Sequence, residues 1–387
     1  MTIPENSTRL LVEWERMKLA ATQKLARGKE LVESRVERSR SIAWRLDERR
    51  EDVQDISEIQ MKRRRASVVI PNWNGREFLS ACLSSLRNQA YGDLEIVLVD
   101  NDSTDGSVAF ARERYPEAKI IRLEKNYGFA KAMNAGIRTS EGEYVACLNN
   151  DTEASPQWLS ELVACMERHP RAAAIASKML DQRNPRLVDG AGDIMTRYLR
   201  AYPRGRGEED AGQYDEEMEV FGASGGASLW RARVLRELGF FDEDLFAYYE
   251  DVDLSFRARL AGYECWYAPR AVMLHAGGGT SSQGADEFVH YHAIRNRWSV
   301  IVKDAPSGLL WRNAHRIVIA EVFSIVRATR ERKVRLVLSA YRDVLHRLPA
   351  WRQRRRAIQA QRAVATKDLL RAMTRGYPAF WKRVHRV

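Results

Sequence analysis

From residue 66 to about residue 150, short apolar runs alternate with helical spacings roughly every 25 residues, and this alternation constrains the fold more than any other feature. Ser67–Pro71 (SVVIP) is a β-branched run that predicts a strand. Glu77–Gln89 places Phe78, Leu79, Cys82, Leu83 and Leu86 at helical spacing. Leu94–Asp100 (LEIVLVD) is almost continuously apolar, as a strand buried on both faces must be. A helix around 105–114, a strand at Lys119–Leu123, a helix at Phe129–Arg138 and a strand at Tyr144–Asn149 continue the series. Such units predict right-handed βαβ crossovers and a parallel sheet. No repeat of 20–50 residues is visible.

Ligands of open α/β sheets lie beyond the carboxyl ends of the strands. Those ends read Pro71-Asn72-Trp73-Asn74-Gly75, then Asp100-Asn101-Asp102-Ser103-Thr104-Asp105-Gly106, then Asn126-Tyr127-Gly128 with Asn134 further on, then Asn149-Asn150-Asp151. Neither a G-x-G-x-x-G after the first strand nor a P-loop occurs, which disfavours a dinucleotide or triphosphate site. Asp102, Ser103 and Asp105 suit helix capping, whereas Asp100 suits acceptance of a hydrogen bond from a nucleotide base or ribose. Asp151 suits a hard cation, Mg²⁺ or Mn²⁺, which prefers oxygen ligands. A second cluster follows. Phe221–Ser228 is small and Gly-rich, either a loop or a close backbone approach to a ligand. Tyr248-Tyr249-Glu250-Asp251-Val252-Asp253 opens a helix expected over 251–261; its acids complement the helix dipole or supply a general base. Val272–His275 is a strand ending in His, before Gly277–Gly279, where metal or phosphate contact competes with a structural hydrogen bond.

The net charge of +11 is unevenly placed. Residues 306–387 carry twenty basic and four acidic groups, whereas residues 66–305 are net acidic. Four cysteines without a C-x-x-C pair argue against a disulfide scaffold and fit a reducing compartment. No apolar run approaches the roughly 20 residues that span a bilayer, and the first residues lack the order of a signal peptide. Secreted and membrane-spanning readings are therefore disfavoured. Three regions are expected: a helical, coiled-coil-like extension over 1–65, an α/β domain over 66–300, and basic amphipathic helices over 301–387, kinked at Pro306 and Pro349. The broken heptad of residues 8–60 predicts docking or self-association into a homo-oligomer. Segment 309–326 is amphipathic, with Leu309, Trp311, Val318 and Phe323 expected on a lipid side and Trp351, Phe380 and Trp381 as further anchors. Basic faces with aromatic anchors favour an anionic membrane surface over nucleic acid, with a solvated bundle as the rival.

Taken together, SVVIPNWNG, VLVDNDSTDGS, NYGFAKAMNAGI, YVACLNND, GASGGASLWRA, FFDEDLFAYYEDVDLSFRARLAGY and the strand-His before GGG resemble the inverting family 2 nucleotide-sugar glycosyltransferases. The likeness covers about 66–300 and is greatest to the bacterial rhamnosyltransferase-like branch. It implies a GT-A fold, a Rossmann-like central mixed sheet flanked by helices. It also implies roles. Pro71, Asn72, Asp100 and Asp102 would meet the donor's base and ribose, with Asn126, Asn149 and Asn150 on the donor side. Asp151 would bind the metal, and His275 would be a further ligand. Asn149 stands where the family's D-x-D motif has its first acid. Asp251, with Glu250 beside it, would be the general base. The implied activity is metal-dependent transfer of a sugar, rhamnose from dTDP-rhamnose, to a saccharide or lipid-linked saccharide in cell-envelope polysaccharide synthesis. It would take place in the cytoplasm, at the inner face of the plasma membrane. The competing readings are a non-catalytic scaffold with this fold and a nucleotidyltransferase, the latter lacking a basic Gly-rich loop after the first strand.

Overall fold

The computed structural model describes residues 65–277 and 285–375. The described residues belong to one compact unit. The helix expected over 8–60 and the anchors Phe380 and Trp381 lie outside the described residues.

The first half builds the expected series: β1 (Ala66–Asn72), α1 (Arg76–Arg87), β2 (Leu94–Asp100), α2 (Ser107–Arg114), β3 (Lys119–Arg122), α3 (Phe129–Thr139) and β4 (Tyr144–Leu148). β1 runs parallel to both β2 and β4, and β2 parallel to β3. Alternate side chains explain the continuous apolar runs. Val68, Ile70, Ile96 and Leu98 enter one core with Leu79, Leu83 and Trp158. Val69, Val97 and Val99 enter the other with Met133, Ile137 and Leu254. Both faces of the sheet are thus covered, and burial of each such side chain contributes about 1.5–3 kcal/mol.

The chain continues through β5 (Thr152–Ala154), α4 (Trp158–Arg168), β6 (Ala172–Asp181), β7 (Val188–Ala191), β8 (Asp193–Met195), β9 (Ala201–Pro203), β10 (Met218–Val220), β11 (Ala227–Arg231), α5 (Ala232–Leu238), α6 (Glu250–Leu260) and β12 (Glu264–His275). The sheet order is β10-β12-β6-β11-β4-β1-β2-β3. β11 runs antiparallel to both neighbours, β4 and β6, so the sheet is mixed. Beyond the four-strand parallel portion, strand alternation no longer predicted direction, because β11 returns without a crossover helix.

Among the described residues four helices follow: α7 (Ala285–Lys303), α8 (Ser307–Arg330), α9 (Val334–Ala360) and α10 (Thr366–Ala372). Pro306 precedes α8, and Pro349 lies inside α9. A third core joins them to the sheet domain through Phe256, Val300, Leu309 and Leu369. A buried ion cluster strengthens that joint. Lys303 is 1% exposed and pairs with Asp253 on α6 at 2.6 Å and with Asp242. Asp253 also pairs with Arg257, so its carboxyl is held below the usual range by the two cations despite burial.

Candidate active site

A cavity of about 1010 Å³ opens over the carboxyl ends of β1 and β4 and is lined by Asn72, Asn126, Asn149, Asp151, Glu250 and Asp251, among others. One wall is built of amides. Asn150 Nδ2 donates to Asn72 Oδ1 at 2.7 Å, and Asn72 Nδ2 donates to Ser103 Oγ at 3.1 Å. Gly75 lies so close that a Cβ there would overlap the Asn150 amide, which is why this turn takes glycine. Asn101 Nδ2 donates to Asn126 Oδ1 at 2.9 Å, while Asn101 Oδ1 accepts from the Tyr127 N–H at 2.9 Å. That pair fixes the loop after β3 beside the end of β2. Pro71 and Trp73 complete the rim.

Asp100 and Asp102 are not part of the cavity lining. Asp100 is fully buried at the end of β2; Oδ2 accepts from the Ser103 N–H at 3.3 Å, and Oδ1 has no hydrogen-bond partner. A buried acceptor left open is unusual. Asp102 is exposed, with φ +69°. Asp105 holds local backbone, accepting from the N–H groups of Arg76 and Ser107.

The other wall is acidic. α6 begins at Glu250, so Glu250 and Asp251 both stand in its first turn. Asp251 Oδ2 accepts from the Gly225 N–H at 2.9 Å and Oδ1 from the Val252 N–H at 2.8 Å. Burial raises its carboxyl above the usual range, and those two N–H groups oppose the rise. Glu250 is pushed much higher, by burial and then by Asp251, and its Oε2 has no partner. Asp193, on the same cavity, is likewise raised by burial and by Asp251. Three neighbouring carboxyls cannot all ionise cheaply; the two backbone donors on Asp251 favour its charged form, whereas Glu250 and Asp193 are pushed toward the neutral form. Asp253, two residues on, is spent in the ion cluster with Lys303 and Arg257.

The loop entering α6 is strained. Phe246, Tyr248 and Tyr249 have φ of 65°, 66° and 69°. Asn296 on α7, fully buried, holds them: its Nδ2 donates to the carbonyls of Leu245 (2.8 Å), Ala247 (2.8 Å) and Tyr248 (2.6 Å). Arg295 Nη2 donates to the carbonyls of Asp244 and Leu245. Such strain persists only where the surroundings over-determine it.

His275 closes the cavity at the end of β12. Its Nδ1 lies 2.8 Å from Asp189 Oδ2 and its Nε2 3.4 Å from Asp151 Oδ1. Burial alone would lower its pKa; the two carboxylates outweigh that and push it up to about 9. Two carboxylates around an imidazole are a donor set that fits a divalent cation. A separate trio, Cys165, His169 and Glu217, also has ligand atoms within 4.8 Å of one another, away from the cavity lining. There Arg168 and His169 hold Glu217, and burial pushes the Cys165 thiol up to about 12, which opposes a thiolate ligand.

Sequence reasoning missed Asp189, Asp193, Asn101 and Asn296. Asn101 stood in a motif already singled out; the other three lie in segments without a local signal.

Residues 67–239 match the model of glycosyl transferase family 2. The N-acetylglucosaminyl-diphospho-decaprenol L-rhamnosyltransferase of Mycobacterium tuberculosis is 28% identical over 305 residues, covering 70% of this chain and 97% of the relative. The poly-beta-1,6-N-acetyl-D-glucosamine synthase of Staphylococcus epidermidis is 26% identical over 53% of this chain and 48% of the relative. Among solved structures, GalNAc-T7 with UDP, GalNAc and Mn²⁺ superposes with a TM-score of 0.51 at 18% identity, over 63% of this chain and 48% of that one. The mixed sheet, the cavity at its strand ends and these likenesses identify a glycosyltransferase with a family 2 domain on a GT-A fold.

Proposed function

We propose that the protein is an inverting, metal-dependent sugar transferase that uses a nucleotide-sugar donor and a saccharide or lipid-linked saccharide acceptor, with rhamnose from dTDP-rhamnose as the sugar. The observation that carries the reading is Asp251. Its carboxyl lines the same cavity as the donor-side amides and accepts from two backbone N–H groups, which favour its charged form. The relative of 97% coverage is named as a rhamnosyltransferase acting on a decaprenol-linked sugar, which favours a lipid-linked acceptor. The GalNAc-T7 structure holds a nucleoside diphosphate and Mn²⁺, which favours a divalent cation.

The chemistry follows from the residues. Asn72, Asn126, Asn149 and Asn150 orient the donor, and Asp100, buried behind them, holds Ser103, which accepts from Asn72. Asp251 takes the proton of the acceptor hydroxyl as the hydroxyl oxygen bonds to the anomeric carbon and the bond from that carbon to the diphosphate oxygen breaks. A positioned base of this kind contributes about 10²–10⁴-fold. Burial pushes Glu250 toward its neutral form, which lessens the negative charge beside Asp251. Asp151, His275 and Asp189 would hold the cation, which offsets the charge developing on the leaving diphosphate. Arg183 and Arg206, on the same cavity, offer cations to a phosphorylated ligand. One base and one attack give a single displacement with inversion.

A thermal-shift screen of UDP-, GDP- and dTDP-sugars with Mg²⁺ or Mn²⁺ selects the donor, and NMR of the product reads the anomeric configuration. Stabilisation by one donor and an inverted product are expected. A retained configuration, or transfer unaffected by EDTA, would refute the reading.

A further inference from the structure

Helix α8 has two dissimilar sides. Leu309, Asn313, Ile317 and Ala320 are buried against the rest of the fold. Trp311, Val318, Ile319, Val322, Phe323 and Val326 are exposed, Trp311 by 83% and Phe323 by 63%. At about 100° per residue, Trp311, Val318, Val322 and Val326 share one narrow arc directed away from the buried one. On α9, Leu338 and Leu345 are 62% and 66% exposed. Single exposed apolar residues are ordinary on a soluble protein, whereas a continuous row marks a contact surface.

Charge indicates what the row meets. Arg312 and Arg316 flank its start, and Arg327 and Arg330 its end. Residues 307–348 carry nine basic and three acidic groups. Each of the three acids is already engaged: Glu321 by Arg297 and Tyr341, Glu331 by Arg327, and Asp343 by Tyr291 and Arg347. A second copy of this surface would bring like charges together, which opposes a self-complementary dimer. No helix among the described residues is long and apolar enough to cross a membrane.

We propose that the outward face of α8, continued by Leu338 and Leu345, is an in-plane docking surface for an anionic lipid bilayer. The apolar row enters the boundary of headgroups and acyl chains, and the flanking arginines meet lipid phosphates. Leu309 and Trp351, which the sequence pattern had put on the lipid side, are buried in the protein and take no part.

The test is flotation of the full chain with phosphatidylcholine vesicles, with and without phosphatidylglycerol, across a salt series. Wild type should bind the anionic vesicles at least about tenfold more tightly than the neutral ones and keep a residue of binding at high salt. The double change Val322→Glu/Phe323→Glu should abolish the salt-resistant part. Arg312→Glu/Arg330→Glu should remove most of the preference for anionic lipid. Both variants alter exposed positions, so thermal midpoint and donor binding should stay at wild-type values, and the measurement needs no sugar transfer. Wild type that ignores anionic vesicles at low salt overturns the proposal. So does a Val322→Glu/Phe323→Glu variant that binds like wild type, or one that turns a solution dimer into a monomer, which would assign the face to a second copy.

Discussion

The amide wall of the cavity comes from four strand ends within residues 71–151, whereas the acidic wall draws on residues 189–193, 224–226 and 246–251 and on a helix that begins at Ala285. The first wall lies wholly inside the region that matches the family model, and the second lies partly beyond its end at residue 239. The amide wall is held by hydrogen bonds among the turns at the strand ends, such as Asn101 with Asn126, Asn72 with Ser103 and Asn150 with Asn72. The acidic wall is held in addition from the helix Ala285–Lys303, by Asn296 on Tyr248 and Lys303 on Asp253. A wall whose partners all lie at the strand ends survives changes in the C-terminal helices. A wall held from those helices makes catalysis depend on them.

Several substitutions can break or sharpen this contrast. Lys303→Met leaves Asp253 and Asp242 each one cation poorer in the interior and should cost about 3–5 kcal/mol of unfolding free energy, read by denaturant titration. A cost below about 1 kcal/mol would mean that the C-terminal helices are merely appended. Asp151→Ala should weaken Mn²⁺ affinity at least about 10–100-fold, since even outer-shell partners of a metal carry that much. Calorimetric titration that finds the affinity unchanged would remove Asp151 from the site. Asn296→Ala should lower turnover by about tenfold to a hundredfold, because a reacting group misplaced by about 1 Å costs that much, while donor affinity stays constant. Equal losses in both would mean that the two walls are not separable.

The smallest effect concerns Glu250. Its folded pKa lies above its unfolded one, so the fold favours the protonated form, and stability falls as pH rises above the ordinary carboxylate range. Glu250→Gln removes that penalty and should raise the thermal midpoint at pH 7 by roughly 2–4 °C. A lowered midpoint would mean that the carboxylate is ionised in the fold.

The same contrast explains what the sequence could tell. SVVIP, LEIVLVD and YVACLN specify β1, β2 and β4 because a doubly buried strand must be apolar at every position, and the Asn-rich tips follow directly. Glu250 and Asp251 were legible as a cluster, but their different environments were not, because these depend on which oxygens meet the N–H groups of Gly225 and Val252. Asp189 meets His275 across 86 positions, and no local pattern marks such a pair. Asn296 sits in an ordinary helical stretch, and its role depends on the strained carbonyls of a loop some fifty residues earlier. Leu309 and Trp311 looked alike in an amphipathic segment, yet tertiary packing buries one and exposes the other.

The proposed chemistry rests on Asp251 as the ionised base, and single-turnover transfer by Asp251→Asn tests it most directly when donor binding is measured on the same sample. The expected result is donor affinity within about twofold of wild type and a transfer rate lower by about 10²–10⁴-fold. In wild type the acid limb of the rate profile should lie above the ordinary carboxylate pKa of about 4, because burial raises the Asp251 carboxyl and protonation silences it. An Asp251→Asn enzyme that keeps more than about a tenth of the wild-type rate would contradict the assignment and place the base elsewhere.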